Sequence, residues 1–103
     1  MARKIIWTEV AWTDVENAAD FIFRDSPYYA AALVREAKEA SRALRRFVMR
    51  GRIVPEVGDK SIREIMVQNY RLLYRVEKSR VVILAFIHGA RDLKSLWAKR
   101  FGE

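Results

Sequence analysis

The sequence has no cysteine, one histidine, two prolines and four glycines in 103 residues. Without cysteine there is no disulfide framework, no thiolate nucleophile, no iron–sulfur cluster and no cysteine-based structural zinc. A lone histidine excludes a His-rich metal site, and no Asp/Glu cluster has metal-ligand spacing. There is no phosphate-binding glycine loop and no nucleophile elbow around any serine. No cofactor or metal is therefore expected. The apolar run over residues 81–87 is strand-sized, far short of a membrane span. Residues 1–8 offer neither an apolar core nor a small-residue cleavage site, so no signal peptide is expected. A small secreted domain without disulfides would be unusual, and the reducing cytoplasm is the expected compartment. Linkers, repeats and low-complexity tracts are absent as well. The expectation is a single domain over residues 1–103 with one core.

What is present is apolar content and positive charge. The hydrophobic fraction of 51% is enough for a packed core. The net charge is +7 and unevenly placed: residues 1–50 carry nine basic and seven acidic side chains, residues 51–103 eleven and six. A basic half points to nucleic acid, a machine that binds it, or an acidic protein partner; a solvated surface is the plainer reading.

Periodicity gives an α+β chain. Residues 3–7 read as a short strand. Thr8, or Thr13 with Glu16 one turn later, caps a first helix whose stripe is Trp12, Val15, Ala19 and Ile22, ending near Phe23 or Arg24. Ser26 and Pro27 open a second helix, in which Tyr29, Leu33, Ala37, Ala40, Leu44 and Phe47 form one apolar stripe up to Gly51. Arg35, Lys38, Arg42, Arg45 and Arg46 lie opposite. Two helices so closely joined form an antiparallel hairpin. Gly51, Pro55 and Gly58 mark residues 51–61 as a loop. Three strands follow over residues 63–67, 70–76 and 81–88, joined by turns at 68–69 and 77–79. The last strand is apolar on both faces, as a covered central strand should be. Residues 92–100 suggest one or two final helical turns carrying Leu93, Leu96 and Trp97. The C-terminal half, residues 51–91, is thus an arginine-studded antiparallel meander suited to an acidic partner.

Candidate chemistry gathers there. Arg71 and Arg75 share a strand face, and the 68–69 turn sets Arg63 opposite Tyr74 and Glu64 opposite Leu73. Guanidinium groups on a rigid sheet suit bidentate phosphate or carboxylate recognition. Equally, Glu64 and Arg75 could form a cross-strand ion pair on a wet face. His88, near Gly89 and Arg91, is either a hydrogen-bonded structural residue or an acid/base group. Trp97 either pins the tail or stacks on a base. Trp7 and Trp12 read as core or core rim.

In this order and spacing the chain resembles the RelE/ParE superfamily of bacterial type II toxins over nearly its whole length. The resemblance is carried by Ser26-Pro27, Gly51-Arg52-Ile53-Val54-Pro55-Glu56, Arg63-Glu64-Ile65, Tyr70-Arg71-Leu72-Leu73-Tyr74-Arg75-Val76, Val82-Ile83-Leu84 and His88-Gly89-Ala90-Arg91. It implies an N-terminal strand and helical hairpin packed on the antiparallel meander. It also implies a growth-arresting toxin in a hetero-oligomer with a small antitoxin, whose partly disordered segment folds on binding.

RelE-like members cut messenger RNA on the ribosome with sheet cations and a C-terminal Tyr or His. On that resemblance Arg71, His88 and Arg91 would be the catalytic set. Trp97 stands where a tyrosine is often found and cannot give up a proton as a general acid. The lysines such nucleases tend to carry are replaced by Arg63 and Glu64. ParE-like members, non-enzymatic poisons of DNA gyrase, resemble the chain more closely. That resemblance implies a partner-binding set of Arg63, Arg71, Arg75, Arg42, Arg46, Trp97 and Arg100, with Lys99 beside the last. A degenerate homologue that still binds antitoxin but harms nothing is the third reading.

Overall fold

The computed structural model describes residues 2–102. The elements run β1 (Lys4–Trp7), α1 (Glu9–Phe23), α2 (Pro27–Ala43), β2 (Arg52–Ile53), β3 (Ile62–Val67), β4 (Tyr70–Val76), β5 (Arg80–His88) and α3 (Leu93–Phe101). Thr8 caps α1, its side chain accepting from the Ala11 N–H, so the earlier of the two predicted caps is used. Ser26 caps α2 ahead of Pro27, as expected. Among the described residues no helix is long and apolar enough to cross a membrane.

The five strands form one sheet in the order β1-β5-β4-β3-β2. The predicted meander is β3, β4 and β5, and it places Arg63 opposite Tyr74 and Glu64 opposite Leu73. Two features extend it. β1 joins the far side of β5 in parallel, which makes the sheet mixed. The supposed loop contains β2, two residues that pair with Arg63 and Glu64. Gly51 does not end α2, because the helix stops at Ala43 and tightens through Leu44 N–H to Ser41 O and Arg45 N–H to Arg42 O. Phe47 therefore lies beyond the helix and is exposed, as is Tyr29 in its first turn, while Leu33, Ala37 and Leu44 are buried. Gly51 instead lies where the chain is pressed against the sheet: a Cβ there would stand 2.6 Å from the Tyr74 hydroxyl. That hydroxyl donates to Val48 O (2.8 Å) and accepts from the Gly51 N–H (2.9 Å), fixing the return from helix to sheet.

The sheet is covered on both sides. The helical hairpin packs Ala11, Val15, Leu33, Ala37 and Leu44 against Leu72, Tyr74, Ile83 and Phe86. On the other face Val54, Ile62, Leu73, Val82, Leu84 and Ile87 meet Leu93, Leu96 and Trp97. β5 is apolar from Val81 to Ile87 because β1 and β4 flank it and both its faces are covered.

A β-bulge decides how β5 serves both cores. Leu73 pairs with Ala85 but Tyr74 with Ile83, so Leu84 is the extra residue. Before it, Val81 and Ile83 face the hairpin. After it, Phe86 faces the hairpin while Ala85 and Ile87 face away. The bulge therefore re-aims the end of β5, including His88.

Candidate functional site

Arg71, a candidate for phosphate or carboxylate recognition, is already occupied. Arg71 leaves β4 on the face away from the hairpin, opposite Met66 on β3 and Ile87 on β5. Its Nη1 and Nη2 donate to Glu56 at 2.9 and 2.8 Å, and its Nε donates to Glu64 Oε1 at 2.5 Å. The other Glu64 oxygen accepts from Arg52 Nε at 2.6 Å. Two cations and two carboxylates thus form a linear chain, Glu56–Arg71–Glu64–Arg52. The Glu64 and Arg71 side chains are 2% and 8% exposed. Charges so buried persist only when paired, and here the pairing is complete. The hydrogen bonds from Arg71 draw the Glu56 carboxyl down from 4.5 to about 2, against the opposing effect of burial. The same bonds to Glu56, and more weakly those to Glu64, raise Arg71 further above its usual range.

The expected Glu64–Arg75 pair does not form. β2 lays Arg52 beside Glu64, and β4 supplies Arg71, so the carboxylate has two nearer cations. Glu64 is therefore buried rather than on a wet face. Arg63 points to the other side, donating from Nη1 to Gly51 O at 2.9 Å, while its buried Nε has no partner among the described residues.

His88 and Arg71 lie on opposite faces of the sheet. His88 pairs with Tyr70, whose ring stacks on Phe86 at 4.9 Å and meets the imidazole edge-on at 5.2 Å. The imidazole Nδ1 accepts from the Ala90 N–H at 3.1 Å, and Arg91 N–H donates to His88 O at 3.0 Å. His88 and Arg91 line a cleft of about 550 Å³ with α1 residues, well apart from the Arg71 cluster. The three candidates for a nuclease set are not brought together.

The remaining candidates divide. Arg100 is consumed internally: its guanidinium grips Asp14 through bonds of 2.7 and 3.0 Å. The same carboxylate accepts from the Phe86 N–H at 3.0 Å, next to the β5 bulge and beyond the end of β1. Trp97 is partly buried against the second core, its ring 4.4 Å from Phe101, so it pins α3. Arg75 is half-buried beside the Asp59 turn. Arg42 and Arg46 are exposed. Arg42 joins Arg3, Lys4 and Arg45 around a cleft of about 370 Å³ on the open edge of β1, with Trp7, Trp12 and Lys38 continuing it. Trp7 and Trp12, expected in the core or at its rim, are partly buried and sit edge to face at 5.2 Å, and Trp7 Nε1 donates to Ser41 Oγ.

Sequence reasoning missed Glu56 and Asp14. Glu56 lies in what reads as a loop, and its only signal is a carboxylate after Pro55 near an arginine-rich sheet. Asp14 reads as one more polar residue off the apolar stripe of α1. Among the described residues no group of three or more His, Asp or Glu could hold a metal ion.

A helical hairpin and a short third helix enclosing a mixed five-stranded sheet define the α+β fold of the RelE/ParE toxins. The family model described as the ParE toxin of the type II toxin–antitoxin system parDE matches residues 5–93, and the chain belongs to that family. A solved chromosomal ParDE toxin–antitoxin system from P. aeruginosa is similar in fold, with a TM-score of 0.69 at 19% identity over 84% of this chain and 96% of that one. The RelBE2 toxin–antitoxin complex from Mycobacterium tuberculosis is similar too, with a TM-score of 0.57 at 25% identity over 85% and 99%. No curated protein matches the sequence.

Proposed function

We propose that this protein is the toxin of a bacterial type II pair, a single cytoplasmic domain that inhibits DNA gyrase by binding it and is silenced by a cognate antitoxin. The observation that carries the reading is the occupied guanidinium of Arg71. A nuclease needs an open cation at the scissile phosphate. Here that phosphate would meet two carboxylates, and freeing Arg71 would leave one oxygen of buried Glu64 without its partner, the other still held by Arg52. His88 is on the wrong face to supply a proton there, and Trp97 has none to give. The family match supports the toxin reading.

The antitoxin part rests on surface charge and on the complexes in which both similar structures occur. Arg3, Lys4, Arg42 and Arg45 line the free edge of β1. An extended acidic segment could add a strand at that edge and neutralise the flanking cations. Arg42 and Arg46 are the partner-binding residues we retain, whereas Arg63, Arg71 and Arg100 serve the fold.

Two reactions with the purified toxin test the reading. Gyrase supercoiling should fall in proportion to toxin added, and in vitro translation should continue. Halted translation with cleaved transcripts and intact supercoiling would identify a ribosome-dependent endonuclease instead. If neither reaction is affected and the neighbouring gene product still binds, the chain is a non-toxic homologue.

A further inference from the structure

The cleft beside His88 has features of a side-chain receptor that no part of the fold uses. Ala18, small and nearly buried on α1, faces the stacked Tyr70–Phe86 pair and leaves the space open. Phe21, 67% exposed, forms the outer wall. The rim carries His88 and Arg91. Two hydrogen bonds within residues 88–91 hold that turn in shape. Arg91 itself is exposed and has no ion-pair partner among the described residues, unlike Arg52, Arg71, Arg80 and Arg100. An apolar cavity of this size with a charged group at its mouth is the usual form of an anchoring site.

We infer that this cleft receives a bulky apolar side chain of the antitoxin, with a carboxylate next to it in the antitoxin sequence bonding Arg91. Charge fixes the choice of occupant. The cation at the rim selects an anion, and the stacked rings and Ala18 select an aromatic or branched aliphatic group. An acidic segment with a spaced apolar residue satisfies both, and it is the same partner that the basic β1 edge requires. Nucleic acid would match the charge of Arg91, but a base in the cleft would set its polar ring edges against Ala18, Phe21 and Ile87. The inference rests on the antitoxin reading and adds a second, apolar anchor to it.

The test uses the full chain and two probes. Indole-3-propionate, a ring with a carboxylate, should shift the NMR signals of Phe21, Tyr70 and Phe86. Tryptamine, a ring with a cation, should not. Arg91→Glu should reverse that preference. Shifts scattered over the β1 edge, or equal for both probes, would overturn the site. In the second arm the product of the neighbouring gene is titrated against wild type, Arg91→Glu and Asn17→Trp, the last plugging the mouth from an exposed helix position. Both variants should bind at least about tenfold more weakly with unchanged melting temperature. Unchanged affinity overturns the proposal and leaves the toxin–antitoxin pairing intact. Weakened gyrase binding or loss of self-association, with antitoxin affinity unchanged, assigns the cleft to another occupant and also overturns it. Failure of the antitoxin reading looks different: no neighbouring product binds, while indole-3-propionate still seats in the cleft.

Discussion

The two faces of the sheet are stabilised by different physics. Toward the hairpin, Ala11, Val15, Leu33, Leu44, Leu72 and Ile83 pack in a continuous apolar layer with the Tyr74 hydroxyl as its main buried polar group. Toward α3 the apolar layer is smaller, and beside it lies the Glu56–Arg71–Glu64–Arg52 chain. The first face relies on non-directional burial, tolerant of salt and pH. The second relies on paired charges whose desolvation offsets much of their attraction, so buried Glu64 and Arg71 are each indispensable once the other is present. Residues of functional type can therefore be structural, and a basic sheet need not be a phosphate site.

Breaking the charged face should have the largest effect. Glu64→Ala leaves Arg71 half-paired in a buried position and should cost about 3–5 kcal/mol in urea unfolding. The double variant Glu64→Leu, Arg71→Met should recover most of that loss. A single variant within 1 kcal/mol of wild type, on the scale of about 1 kcal/mol for an exposed pair, would show that water reaches the cluster. On the hairpin face Leu33→Ala should cost about 3 kcal/mol through a cavity, with no dependence on salt.

A smaller effect tests the tie between the faces. Asp14→Asn keeps an acceptor for the Phe86 N–H but removes the charge that holds Arg100. It should cost about 1 kcal/mol and speed amide exchange across α3 more than across α1. Uniform exchange would show that Trp97 and Leu93 alone anchor the helix.

The smallest effect is acid sensitivity. The Glu56 carboxyl is lowered in the folded state, so its contribution is complete above pH 4.5 and disappears as pH falls toward 2. Its solvent-facing side limits that contribution to about 1 kcal/mol. Stability measured between pH 5 and 2 should flatten in Glu56→Gln relative to wild type. The Leu33→Ala variant should keep the wild-type slope.

Much of this fold was legible in the chain. Thr8 and Ser26-Pro27 announce their helices because caps are local. The Gln68-Asn69 turn sets the β3–β4 register because a two-residue turn admits one pairing; Gln68 takes the left-handed conformation with φ 54°. Less was legible at the site. Tyr29 and Phe47 extend the apolar stripe of α2 on paper, but Tyr29 sits in the first turn and Phe47 beyond the helix end at Ala43, and both are in solvent. The second cation on Glu64, Arg52, comes from β2, which is too short to show any period.

By itself the sequence determined the helices, the meander, its register and the excess of positive charge, because propensity, capping and alternation act within a few residues. Only the tertiary structure decided what the charges do. The bulge at Leu84 separates His88 from Arg71, β2 and the 54–58 turn deliver Arg52 and Glu56 to one cluster, and α3 carries Arg100 back to Asp14. These partners are 7 to 86 residues apart in sequence. Electrostatic pairing depends on distance in space, and spacing along a chain does not encode that distance.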